Sequence, residues 1–61
     1  MDVKTIAGYG RRRIKLFLNN NFIYTGYINK IIGNTVIFID KYNKKIPIDA
    51  ECIDLINDME E

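Results

Sequence analysis

Polar and apolar residues alternate from Arg13 to Leu18, which is the period of a half-buried strand with Ile14, Leu16 and Leu18 on one face. Asn19-Asn20-Asn21 follows as a turn, because asparagine tolerates left-handed backbone and bonds its own chain. Residues 22–32 are rich in aromatic and β-branched side chains and predict a longer strand. Gly26 interrupts it, and an interior glycine marks a sharp bend. Phe22, Tyr24 and Ile28 share the Gly26 face, with Ile23, Thr25 and Tyr27 opposite. Gly33-Asn34 is a two-residue hairpin signal. The apolar run 35–39 then reads as a central strand covered on both sides.

Asp40-Lys41-Tyr42-Asn43 predicts another turn, and residues 44–48 a short strand that Pro47 confines to an edge or a bulge. Asp49-Ala50-Glu51 suits a single helical turn, and residues 52–56 a last strand. No window long enough for a stable helix carries a 3.6-residue apolar stripe with caps; only residues 3–7 and 48–56 have room for a turn or two. The expectation is one all-β domain over residues 1–61, with strands near 12–18, 22–32, 35–40, 44–48 and 52–56. Five such strands must twist strongly or close to bury a core, which predicts a small SH3-type barrel made from a bent antiparallel sheet. Residues 1–11, with Tyr9 between two glycines, read as a flexible arm, and residues 57–61 as an acidic, frayed tail.

Composition narrows the chemistry. The chain has no histidine and no serine, and its single cysteine, Cys52, has no imidazole partner, so it lacks the serine–histidine or cysteine–histidine pair of a nucleophilic site. A structural zinc site and an internal disulfide are excluded for the same reason. The acidic residues 49–61 lack the spacing and glycine of a calcium loop. No enzyme activity, cofactor or metal is expected. No signal peptide or membrane span is visible, and the lone thiol fits a reducing cytoplasm. With no other staple available to 61 residues, self-association is the expected stabiliser.

Charge is balanced in total, at +1, but not in layout. Residues 1–45 hold all nine basic residues; residues 46–61 hold none, and six acidic ones. Arg11, Arg12, Arg13 and Lys15 form the densest basic cluster, suited to bidentate phosphate contacts. Lys41, Lys44 and Lys45 flank Tyr42, an aromatic suited to base stacking. The alternative for both clusters is ordinary solvated surface. Phe17, Ile23 and Tyr27 lie opposite the core face and suit either a stacking platform or a packing surface.

Residues 14–28 resemble the first half of the Sm-like motif: a strand ending in leucine, a turn that closes on glycine, and a second glycine five residues later. Asn21 stands at the first glycine and Gly26 at the second. Residues 48–56 keep the apolar spacing of the second half. The resemblance implies a ring of copies in which the fourth strand of one pairs with the fifth of the next, and binding of short single-stranded RNA around the pore. It would make 44–48 and 52–56 the assembling edges, with Ile46, Ile48, Ile53 and Ile56 as apolar interface residues. The family's base-holding aspartate and asparagine fall on Ile32 and Val36, with Asn34 as the nearest substitute; its basic-glycine pair falls on Asp49 and Ala50. The usual pocket is therefore absent from the sequence. Two functions are expected from this chain: a homo-oligomeric module binding single-stranded RNA or DNA, or a scaffold that binds protein and no nucleic acid.

Overall fold

The computed structural model describes residues 1–59 and contains five strands: β1 Ile14–Leu18, β2 Ile23–Ile32, β3 Thr35–Asp40, β4 Lys45–Asp49 and β5 Ile53–Asp58. They form one antiparallel sheet in the order β4-β3-β2-β1-β5. Each strand lies within a residue or two of its expected place. Among the described residues no ladder joins β4 to β5, so the sheet is bent but not closed by hydrogen bonds and both outer strands keep a free edge. No helix among these residues is long and apolar enough to cross a membrane.

Gly26 is the hinge of this arrangement. It pairs with Ile14 on one side and Asp40 on the other, so β2 serves β1 with its first half and β3 with its second. A Cβ at position 26 would overlap the Ile39 carbonyl oxygen and lie 2.9 Å from Asp40 Cα. Only glycine lets the two backbones approach this closely. A bulge between Ile28 and Lys30 adds to the bend, with Asn29 as the extra residue.

The bend wraps one face around a core of Ile14, Leu16, Leu18, Ile28, Val36, Phe38, Ile48, Ala50, Ile53 and Ile56. β3 lies between two strands, as its continuous apolar run implies, and Ile39 is buried on the face away from the core. Phe22 departs from its expected inward place. It precedes β2 and is more than half exposed, its ring edge-on to Tyr24 at 6.3 Å.

The N-terminal segment differs more. Val3–Ala7 is a short helix, α1, capped by Asp2, whose carboxylate accepts from the Lys4 amide at 3.0 Å. Ile6 is fully buried in the core, and Met1, Val3 and Tyr9 pack against it. The Met1 nitrogen donates to the carbonyls of Ala50, at 2.8 Å, and Ile53, at 3.1 Å. The expected flexible arm is thus a lid on the sheet. It folds down because Val3 and Ile6, on one side of a single helical turn, have apolar surface to bury. The expected tail is corrected too: Asn57 and Asp58 belong to β5, opposite Lys15 and Ile14, and the Met59 amide donates to Arg13. Glu60 and Glu61 of that tail lie outside the described residues.

Candidate nucleic-acid interface

The basic residues of the two sequence clusters are held by short turns. Before β1, a chain of turn bonds (Tyr9 amide to Ile6, Gly10 to Ala7, Arg12 to Tyr9) carries the arginines away from α1, with Gly10 at φ +60°. Between β3 and β4, the Asp40 carboxylate oxygen Oδ1 accepts from the amides of Tyr42 and Lys44, both at 2.9 Å. Asn43 takes φ +65°, and its amide closes the turn on the Asp40 carbonyl. This Asx-type turn presents Lys41 and Asn43 toward the bend of β2.

There the two clusters meet. A cleft of about 800 Å³ is lined by Arg11, Arg13 and Lys41, with Tyr27, Thr25, Gly26, Asp40, Asn43 and Met59 completing its wall. Arg11 is steadied by a long bond from its guanidinium to the Asn29 carbonyl, 3.4 Å, at the bulge. The cleft therefore offers cationic donors from β1's approach and from the β3–β4 turn, with an aromatic side chain in the same lining. Its chemistry suits a phosphate with an attached base.

The other expected residues are distributed otherwise. Arg12 forms an ion pair with Asp58 at 2.8 Å, across the β1–β5 ladder, and does not line the cleft. Lys15 is half-buried within β1 and points to the outer face, between Thr25 and Asn57. Tyr42 is 71% exposed beside the cleft's rim, with the Lys41 ammonium 5.3 Å from its ring centre. Lys44 and Lys45 are exposed, Lys45 opening the free edge of β4.

The four isoleucines expected at an oligomer contact are placed differently. Ile48, Ile53 and Ile56 are buried in the chain's own core, and Ile46 packs against it. These side chains face inward because β4 and β5, although edges, still cover one side of the sheet, the bulge in β5 setting Ile53 and Ile56 three residues apart. An edge-to-edge contact of β4 and β5 would therefore be made by backbone groups.

A second polar junction lies where the resemblance would place a base pocket. The Asn34 amide donates to Asp49 Oδ1 at 3.1 Å, and the Asn34 carbonyl accepts from the Ala50 amide at 2.9 Å. The same Asp49 oxygen accepts from the Glu51 amide at 2.9 Å, capping the 3-10 turn Ala50–Cys52. Asn34 and Asp49 thus satisfy each other and join the β2–β3 turn to the end of β4. Cys52, the last residue of this turn, is half-buried with a free thiol.

Tyr27 is a candidate for a stacking platform from the sequence, whereas nothing in the sequence points to Asn43 as part of the cleft. Nothing local indicates that Arg11, Lys41 and Tyr27 come to line one cleft. No protein-family model, curated protein or solved structure matches this chain.

Proposed function

We propose that the chain is a non-catalytic Sm-like module that binds single-stranded RNA, in preference to DNA, as a homo-oligomer. The observation that carries the nucleic-acid reading is the convergence of Arg11, Arg13 and Lys41 on one cleft beside Tyr27. The β1–β2–β3 pairing brings three cationic side chains and one carboxylate, Asp40, to the lining of this cleft, a balance that suits an anionic ligand.

The Sm-like assignment is supported by local geometry. Asn21 takes φ +71°, the left-handed conformation that the motif's first glycine provides, and Gly26 lies at the bend of β2. The two strands through which the family assembles correspond to β4 and β5, the free edges of this sheet. Pairing them between copies would cover both edges and repeat the cationic cleft on every copy.

A protein-binding scaffold that makes no nucleic-acid contact is the second reading. The Asn34–Asp49 junction favours it, because it fills the place of the family's base pocket with groups that already satisfy each other.

Titration of a short single-stranded RNA at increasing salt separates the two. The expected result is an affinity that falls steeply with salt. Changing Arg11, Arg13 and Lys41 together to serine should weaken binding at least tenfold and flatten the salt slope by about 2, three single-strand phosphate contacts being lost. Salt-independent or undetectable binding by the wild-type chain refutes the RNA reading and leaves the scaffold.

A further inference from the structure

Phe17 stands directly opposite Leu55 of β5 and Ile23 of β2. Opposed residues of antiparallel strands share a face, so these three side chains form one row across three strands. The row lies on the outer face, away from the core: Ile23 and Leu55 are each 55% exposed and Phe17 is half-buried. A bulge between Phe17 and Leu18 lets two consecutive residues of β5, Asp54 and Leu55, stay exposed.

We propose that this row is a contact between two copies of the chain, packed face to face about a two-fold axis that runs along the row. The proposal is independent of the nucleic-acid reading and of the β4 and β5 edges. The argument for a second copy is charge complementarity. Lys15 lies on the outer face on one side of the row, two residues before Phe17, and opposite Asn57. Asp54 lies on the other side, between Leu55 and the Ile53 that pairs with Leu18. A two-fold along the row stacks Phe17, Leu55 and Ile23 on their own counterparts and exchanges the two flanks. Lys15 of each copy then moves toward Asp54 of the other. A two-fold along β1 instead would set Lys15 against Lys15, so the charges select one of the two orientations.

The test is the mass of the full-length chain by light scattering over a range of concentration, with circular dichroism to check the fold. Ile23→Lys with Leu55→Lys should reduce the mass at high concentration to half that of the wild type. If that double variant does not fold, Leu55→Lys alone, at an exposed position on an edge strand, replaces it. Lys15→Glu should weaken the association by opposing Asp54, and Lys15→Glu with Asp54→Lys should restore it. Association through the β4 and β5 edges does not involve Lys15 and would show no such rescue. The proposal is overturned if the wild type remains a monomer, if the row variants keep the wild-type mass, or if the exchange of charges fails to restore it. Unchanged mass with loss of oligonucleotide affinity would identify the row as a stacking platform for bases, which also overturns it.

Discussion

Two polar regions of the molecule use similar residues to opposite ends. At the Asn34–Asp49 junction an amide and a carboxylate bond each other and the neighbouring backbone, and the charge of Asp49 is absorbed by a turn it caps. At the cleft, Arg11, Arg13 and Lys41 share a lining with Tyr27, and Asp40, a carboxylate of that lining, directs Oδ1 to the backbone of its own turn. The first region holds two turns together. The second brings three cationic side chains to one cleft. Polarity at a turn therefore says little about function until its partners are known.

The sharpest way to break the comparison is at Gly26, in the floor of the cleft. Gly26→Val should destabilise the chain by about 3 kcal/mol or more, since the added carbons meet the β3 backbone, which cannot move aside as a side chain would. An unchanged melting temperature would show that β2 and β3 do not approach as described. Asp49→Ala probes the other region. It should cost about 1–2 kcal/mol in urea unfolding, by loss of the cap and of the Asn34 bond, while leaving RNA affinity at the wild-type level. The serine variant of Arg11, Arg13 and Lys41 should show the reverse pattern, with affinity lost and stability kept. A variant of either region that moved both measurements would erase the distinction. The smallest effect is expected for Arg12→Ala. Its pair with Asp58 is substantially exposed, and such pairs contribute less than about 1 kcal/mol, so chemical denaturation should barely register it.

The strands were legible because their signals are local. Alternation from Arg13 to Leu18, the Gly33-Asn34 turn and Pro47 at an edge each act over a few residues. The hairpin itself has positive φ at Gly33 and not at Asn34, the pattern of a type II′ turn. The sequence leaves room for a helical turn at residues 3–7, where α1 lies, but five residues are too few for helical periodicity, and the burial of Ile6 declares itself only through the core it meets. The bulge in β5 was equally hidden, because two exposed positions in succession break the alternation that would reveal them. The cleft depends on topology: Arg11 and Lys41 become neighbours only after β1, β2 and β3 are assembled in order. The inward placement of Ile48, Ile53 and Ile56 follows from assembly too: an edge strand has a free backbone, but its inner-face side chains still join the core.

The strand order also has a kinetic consequence. From β1 to β4 the sheet is a meander, each strand paired with the next through a short turn, so three ladders join residues close in sequence. The fourth ladder joins β5 to β1, from Leu18 with Ile53 to Ile14 with Asp58, and must close across everything between them. Loop-closure entropy makes this the slowest pairing to form, and hydrophobic contact of Ile53 and Ile56 with an already bent meander is what offsets it. Until β5 docks, β1 is an unpaired edge with an apolar face. Any opening of β5 would therefore offer a further apolar edge for pairing with another chain, beyond the free edge of β4.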